Sequence, residues 1–391
     1  MLQEVVGNES RRGGTMRQVV WAATAAALFF FVANADEVKP IPANTLIRFD
    51  ESVQLAVDFT STSSEHVELR ANNEAGVTPA GRLSLSYDAS RQDVEIVEAY
   101  TLKADGRKLP VEPSAIFDQA PQGVGQMILS TREKIVIFPQ FSVGDTAVRT
   151  VRIITRKPHF PGQFTFSKSF PHAASFNDVQ VAVTAPKAMR LYVETHDVEF
   201  QKSDDGPNTV YRWHYSAPVP TADDVVAISP LSHRPRFFMS SFKDYGAVGA
   251  AYAALTADKI VVTPKIAALA DEITKGEGSH LQQAQEIYEW VASHIRYVGI
   301  ELGQGGFVPH DAEAILTNAY GDCKDHDAIL QALLKAKGIA AQSVLINTGN
   351  EYTFPTVATL MFNHAITWLP EFKLYVDSTA ATAPFGVLPF S

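Results

Sequence analysis

Three residue types that together perform thiol chemistry occur in order near the carboxyl terminus. Cys323, the only cysteine in 391 residues, lies in a Gly-Asp-Cys-Lys-Asp segment, and His364 and Asp377 follow it within 55 residues. A thiolate can attack a carbonyl carbon, an imidazole can carry the proton, and a carboxylate can orient the imidazole. The order and spacing therefore predict a nucleophile, its base and an orienting carboxylate.

A single cysteine is by default a small buried hydrophobic residue, but the residues around Cys323 favour a reactive thiol instead. Its flanks are polar, so deep burial is not expected. The run that follows places Ile329, Leu333 and Ala336 on one face at helical spacing and stops at Gly338. Cys323 is therefore predicted in the first helical turn, where unpaired N–H groups and the helix dipole favour a thiolate.

A predicted hairpin carries the other two residues. Residues 359–369 are typical of a buried strand, 370–373 of a turn and 374–377 of a second strand. A histidine on such a strand is by itself more often a satisfied core residue. Pairing across the hairpin would place Asp377 beside His364, where a carboxylate fixes the tautomer and stabilises the imidazolium.

These motifs resemble the transglutaminase-like superfamily, the circularly permuted relatives of papain-type thiol enzymes, over roughly residues 245–390. The resemblance implies an α+β domain with Cys323, His364 and Asp377 as catalytic residues. The preceding segments, such as 94–100 and 138–145, resemble a β-rich domain of unknown function (DUF3857) that often precedes transglutaminase-like domains in secreted bacterial proteins. That second resemblance implies an architecture and no chemistry.

The periodicity along the chain predicts the same two-part organisation. Short alternating runs between Leu46 and Tyr215 indicate an all-β, sandwich-like domain. Four prolines between 218 and 235 predict a connector, after which helical spacing begins, including a helix over 282–294 capped by Ser279. The fold class is therefore α+β, with a β-rich domain over 36–240 and a papain-like, permuted α+β domain over 241–391.

Residues 1–35 are predicted to be a signal peptide. An apolar run over 19–32 follows Arg17 and precedes Ala-Asn-Ala, a typical cleavage pattern, and it is short for an uncleaved membrane anchor. Residues 1–15 are expected to be a start-site artefact, and the end at Ser391 is expected to be either a truncation or a short variant. The predicted location is periplasmic or extracellular, with no membrane span after cleavage.

Charge and cysteine usage exclude some classes of function. Without residues 1–35 the chain has 30 basic and 41 acidic residues, a balance that disfavours binding of nucleic acid or of an anionic membrane. A single cysteine excludes disulfides within the chain, and a nucleophile is the simplest explanation for an unpaired thiol in an exported protein.

Two further clusters invite other interpretations. The glycine-rich loop 303–309 lacks the pattern of a nucleotide site; the resemblance implies that it lines the substrate cleft, with Gln304, Gly305 and Gly306 as candidates there and Gln304 as a candidate oxyanion donor. Acidic and histidine side chains near Cys323 could chelate a metal, but Lys324 lies among them and a solvated helix start is the preferred interpretation; the candidate ligands are His310, Asp325, His326 and Asp327. No metal and no cofactor is predicted.

Two functions remain open from the sequence. The first is acyl transfer on amide bonds of peptides or proteins, including components of the cell envelope, with hydrolysis slightly favoured over transfer to an amine. The second is a non-catalytic secreted binding or scaffold protein with a vestigial triad. Rapid alkylation of Cys323 would favour the first, and a buried, inert thiol the second. The oligomeric state is not predicted.

Overall fold

Alternating apolar residues in the first half of the chain form the predicted β-rich domain. The structure is a computed structural model that describes residues 41–120, 131–221, 233–298, 306–349 and 354–389. The signal peptide predicted over 1–35 therefore lies outside the described residues. The strands described before residue 241 are β1 Asn44–Leu55, β2 Ser61–Ala71, β3 Arg82–Asp88, β4 Gln92–Leu102, β5 Lys108–Pro110, β6 Ile116–Gln119, β7 Thr131–Ile137, β8 Thr146–Thr155, β9 Thr165–Ser169, β10 Ser175–Pro186, β11 Tyr192–His196, β12 Glu199–Asp205, β13 Asn208–Ala217 and β14 Arg236–Ser240.

Eight of these strands form one large sheet in the order β12-β13-β10-β1-β2-β8-β4-β5. All neighbours are antiparallel except the pair β1 and β10. Strands β12 and β13 form a hairpin around Gly206, in which Asp205 lies opposite Asn208. A short helix, α1 (Glu74–Ala80), follows β2.

Two three-stranded sheets, β11-β14-β9 and β3-β7-β6, cover this large sheet. Apolar residues that alternate along β10 and β13 pack against Phe237 and Met239 of β14. A second core joins Tyr87 of β3 to Val94 of β4 and Val151 of β8. The sandwich-like architecture expected from the alternation is confirmed.

The β-rich part of the chain ends with β14 rather than with the proline-rich segment. Residues 222–232, which hold Pro230, lie outside the described residues. After Pro235 the chain returns as β14 and pairs with both β9 and β11, and the first helix of the next part begins at Tyr245.

The second part is a layer of helices against a small antiparallel sheet. Its described helices are α2 Tyr245–Thr256, α3 Pro264–Ile273, α4 His280–His294, α5 Ala312–Asn318 and α6 Cys323–Ala336. Helix α4 is capped by Ser279, as predicted, and the Ser279 hydroxyl accepts a hydrogen bond from the N–H of Gln282. The buried face of α4 contains Ile287, Tyr288 and Val291.

The remaining strands form two sheets. They are β15 Arg296–Tyr297, β16 Tyr320–Gly321, β17 Gln342–Ile346, β18 His364–Leu369 and β19 Leu374–Val376. Strand β18 pairs antiparallel with β17 and β19, so the predicted hairpin is confirmed, although its first strand begins at His364 rather than at residue 359. The parallel pair β15–β16 places Tyr297 beside Gly321, two residues before Cys323.

Helix α6 lies at the centre of this domain and is buried on every side from Cys323 to Leu334. The sequence predicted one apolar face of this helix, whereas the structure buries all of its faces over these residues. Helices α3, α4 and α5 pack against one side of α6, and β18 packs against another. In the described part of the chain, no helix is both long and apolar enough to cross a membrane.

Candidate active site

The first turn of α6 positions Cys323. Asp322 caps the helix by accepting a hydrogen bond from the N–H of Asp325, and the Asp325 carboxylate accepts one from the N–H of Asp322, each at 3.2 Å. This reciprocal capping box fixes where the helix starts. Cys323 is therefore the first helical residue, as predicted.

The thiol of Cys323 is buried, which contradicts the expectation drawn from its polar flanks. Cys323 is 1% exposed, and Asp322, Lys324 and Asp325 are each at most 4% exposed. These polar groups have partners inside the protein: Lys324 pairs with Asp322, and Asp325 accepts a hydrogen bond from the backbone N–H of His310 at 2.8 Å. Polar residues tolerate burial when they pair with each other, so local polarity did not predict exposure here.

The structure brings His364 and Asp377 together. His364 is the first residue of β18, and its Nε2 lies 2.9 Å from Oδ2 of Asp377, just after β19. Burial by itself lowers the pKa of His364, but hydrogen bonds and charge interactions with Asp377 and Cys323 outweigh it and raise that pKa to about 9. All three predicted residues therefore interact as one group.

Asp377 is held by several further bonds. Its Oδ1 accepts hydrogen bonds from the N–H of Thr379 at 3.0 Å and from the hydroxyl of Thr379 at 2.7 Å. Its backbone carbonyl accepts a bond from the hydroxyl of Tyr288 at 3.0 Å. Burial raises the pKa of Asp377, but the hydrogen bonds from His364 and Thr379 lower it by more, so the net shift of the pKa is downward. The carboxylate is therefore ionised and fixed beside the imidazole.

Two family models match the chain, one in the β-rich part and one in the part that contains Cys323, His364 and Asp377. Residues 267–378 match the family model of the transglutaminase-like superfamily, and residues 58–221 match that of a domain of unknown function (DUF3857). Residues 267–378 thus form a transglutaminase-like domain. None of the curated proteins compared with the chain matches it.

A solved structure with a similar architecture aligns with most of the chain. A crystal structure from Parabacteroides distasonis, described as a "putative protease", aligns with a TM-score of 0.74 and 16% identity over 88% of this chain and 68% of that chain. At this identity the likeness shows the fold alone. An M1 zinc metallopeptidase from Deinococcus radiodurans aligns over 51% of this chain and 42% of its own, with 10% identity and a TM-score of 0.28, too low to support an argument.

The remaining sequence candidates are only partly described. Gln304 and Gly305 lie outside the described residues, and Gly306 is described with a φ of +97°, a conformation that favours glycine. Phe307 follows it and packs with Tyr252 and Cys323 in one apolar cluster. The end of the loop therefore lies beside the thiol.

The histidine and carboxylate cluster at the start of α6 is not the solvated surface expected from the sequence. His326 is 1% exposed, and burial lowers its pKa to about 4, an effect that the Ser378 backbone and the charge of Asp377 offset only in part. Its imidazole is therefore neutral at pH 7. Among the described residues, no group of three or more His, Cys, Asp or Glu side chains could hold a metal.

The buried carboxylate of Asp327, a candidate metal ligand in the sequence, connects α6 to the sheet of the transglutaminase-like domain. Asp327 accepts hydrogen bonds from Gln331 at 2.8 Å, from Thr367 of β18 at 2.6 Å, and from Ser343 of β17. It lies one helical turn beyond Cys323. Asp327 therefore sets the position of the nucleophile's helix relative to the strand that begins with His364.

The ionisation of Asp327 is expected to make stability depend on pH. Burial raises its pKa to about 6, although the bonds from Ser343, Thr367 and Gln331 oppose this. The folded state keeps this proton to a higher pH than the unfolded chain, so stability should fall by about 3 kcal/mol as the pH rises from about 4 to about 6. Asp327→Asn should remove this pH-dependent loss of stability, which is measured by urea unfolding at pH 4, 5, 6 and 7.

Asp271→Asn is the matched control, because Asp271 lies on the surface of α3 and pairs there with Lys337. It should keep the pH dependence of the wild type. Equal slopes of unfolding free energy against pH in wild type and Asp327→Asn would contradict the assignment.

A single carboxylate joins the β-rich part to the segment that leads into β18. Oε2 of Glu194, on β11, accepts hydrogen bonds from the N–H of Thr356 at 2.6 Å and from the N–H of Val357 at 3.1 Å, and it also accepts one from the Thr356 hydroxyl. Burial raises the pKa of Glu194, but these bonds outweigh it and lower the pKa overall. Glu194 therefore fixes residues 356 and 357, a few positions before His364.

Glu194→Ala is expected to lower the free energy of unfolding by about 2 kcal/mol, because two backbone N–H groups lose a charged acceptor. Glu199→Ala, on the exposed strand β12, should change it by less than about 0.5 kcal/mol. Chemical denaturation of both variants beside wild type measures the difference. Equal losses in the two variants would show that the contact contributes nothing specific.

Proposed function

We propose that this chain is a thiol acyl-transfer enzyme that acts on amide bonds of peptides or proteins. The observation that carries the proposal is the 2.9 Å contact between His364 and Asp377, together with the interaction that couples His364 to Cys323. An imidazole with a pKa of about 9 is protonated at neutral pH. It can therefore form an ion pair with a thiolate at the positive end of α6.

The reaction begins when the Cys323 thiolate attacks the amide carbonyl carbon. The new C–S bond moves an electron pair onto the carbonyl oxygen, and backbone N–H groups in the first turn of α6 stabilise that oxyanion. His364 gives its proton to the departing nitrogen as the C–N bond breaks, and the acyl group remains on Cys323 as a thioester. Asp377 holds the imidazole in orientation throughout.

The fate of the thioester decides between two activities. If water attacks, His364 accepts its proton, the acid leaves, and the enzyme is a protease or amidase. If an amine attacks, a new amide forms and the enzyme is a transglutaminase. We favour hydrolysis, in line with the protease description of the structural neighbour.

The burial of Cys323 supports a second candidate function. A thiol that is 1% exposed can meet a substrate only if the segments covering it move apart. A protein in which they stay closed would be a secreted binding or scaffold protein with an inactive triad.

Mass spectrometry of a peptide mixture tests the proposal and separates its branches. Hydrolysis yields cleaved or deamidated peptides, and transfer in the presence of methylamine yields methylamide products. Either product should require Cys323 and disappear in Cys323→Ala. A peptide mixture unchanged by wild-type protein, combined with an unreactive thiol, would favour the binding function.

We also propose that the protein is exported and meets its substrate in the cell envelope. The apolar run 19–32 followed by Ala33-Asn34-Ala35 supports this. Amino-terminal sequencing of the protein expressed with residues 1–35 should find cleavage after Ala35. An intact leader on protein that stays in the cytoplasm would contradict export.

A further inference from the structure

A cavity of about 230 Å³ lies where the β-rich part meets the segments around the thiol. Its floor is the face of the large sheet that carries Val53, Ser63 and Ile153, which are neighbours on β1, β2 and β8. Leu360, just before β18, contributes to its wall. The volume is below that of a typical drug-sized site and suits a group the size of one residue.

Aromatic side chains form most of the apolar wall of this cavity. Phe59, Phe164 and Phe166 come from the β-rich part, and Phe242 comes from the segment before α2. The rings of Phe164 and Phe166 are nearly parallel, with centroids 6.4 Å apart. Such a wall favours an aromatic or branched apolar side chain over a polar one.

Three side chains that can donate hydrogen bonds, those of Arg91, His159 and Gln163, line the cavity. The Arg91 side chain lines the cavity and is 14% exposed; its Nε lies 3.3 Å from Asp88, and a guanidinium has further N–H donors besides Nε. Nδ1 of His159 is buried with no hydrogen-bond partner among the described residues. The carbonyl of Gln163 accepts a bond from Ser241, which leaves the amide nitrogen of Gln163 as a further donor.

The other charged group of the cavity does not oppose an anion strongly. Glu51 is paired with Lys168 at 2.7 Å and accepts a hydrogen bond from Ser63 at 3.0 Å. Its charge is therefore largely compensated from outside the cavity. Guanidinium N–H groups match a carboxylate in a two-bond arrangement, so the polar side chains of the cavity suit a carboxylate better than a cation.

We propose that this cavity binds the carboxyl-terminal residue of a peptide that ends in an aromatic or branched apolar amino acid. The terminal carboxylate bonds to Arg91, and the side chain packs among the phenylalanines. This site is separate from the thiol. Cys323 does not line the cavity, whereas Phe160 and Phe242 line it and also belong to the apolar cluster that contains Cys323. The Phe160 ring lies 5.0 Å from that of Phe307 and 5.6 Å from that of Phe242 between centroids.

Isothermal titration calorimetry with N-acetyl-L-phenylalanine and its amide tests the proposal. The acid should bind with a Kd of about 1 mM or lower, and the amide at least about tenfold more weakly because it lacks the charged oxygens. Arg91→Gln should lower the affinity for the acid by about tenfold or more. Ser61→Leu should abolish binding of both compounds, because Ser61 lines the cavity and leucine would fill it.

Two controls keep this test apart from folding and from catalysis. Arg152→Gln changes an exposed arginine on the opposite face of β8, paired with Glu95, and should bind like wild type. Cys323→Ala should also bind like wild type, so this site can be present whether or not the enzyme is active. If Arg91→Gln does not fold, the binding measured with Ser61→Leu still tests whether the cavity is the binding site. Equal affinity for acid and amide, or unchanged binding in Ser61→Leu, would overturn the proposal.

Discussion

Cys323→Ala is expected to lower kcat/KM for any amide substrate by at least about 10⁴-fold, because no other group in the chain can form the thioester. The fold should survive, since the change removes one sulfur atom from the apolar cluster with Tyr252 and Phe307 and should cost about 1 kcal/mol. Product formation by mass spectrometry and thermal unfolding of the same samples measure the two effects.

The chain itself offers a clean chemical control for this variant. Because Cys323 is the only cysteine, any thiol reagent that inactivates the wild type must act at this position. Iodoacetamide should therefore reproduce the effect of Cys323→Ala and should not label the variant. Turnover that persists both in wild-type protein treated with iodoacetamide and in Cys323→Ala would refute the acyl-transfer mechanism.

His364→Ala is expected to slow alkylation of Cys323 at pH 6 by at least about tenfold. The pKa of His364 is raised to about 9, so its positive charge is present at pH 6 and is lost as the pH rises through about 9. Without that charge the thiolate must form beside the carboxylates of Asp322 and Asp377, and free cysteine ionises only near pH ~8.5. The rate constant with iodoacetamide, measured from pH 5 to 10, shows this directly.

His280→Ala is the matched control, since His280 pairs with Glu371 on the surface. Its alkylation profile should match that of wild type. His364→Ala should also lose about 3 kcal/mol of stability, because Asp377 would remain buried without its partner, so the rates must be compared well below both Tm values. Identical pH profiles in wild type and His364→Ala would exclude a working ion pair.

Slow alkylation in both proteins would carry a different meaning. Cys323 is buried, so a low rate independent of His364 would show that the segments covering the thiol stay closed. The second candidate function would then be favoured. The cavity at Arg91 would remain to be tested as the binding site of such a protein.

The sequence by itself determined the local elements of the site. The position of Cys323 in the first turn of a helix and the hairpin that joins His364 to Asp377 were both predictable, because helical spacing, turns and strand alternation act over a few residues. The turn over 370–373 sets the register in which Thr367 lies opposite Val376, and that register brings His364 within reach of Asp377. The capping box of Asp322 and Asp325 was not predicted, although the Asp-x-x-Asp spacing in the sequence is a signal that could have indicated it.

Only the tertiary structure decided how deeply these residues are buried. The polar start of α6 predicted exposure, but α3, α4, α5 and β18 pack against the helix, Lys324 pairs with Asp322, and His310 contacts Asp325. The hydrogen bond that Glu194 accepts from the N–H of Thr356 joins residues 162 positions apart, and the cavity at Arg91 is lined by residues from both halves of the chain. Such contacts join positions distant in sequence, and no pattern over a few neighbouring residues encodes them.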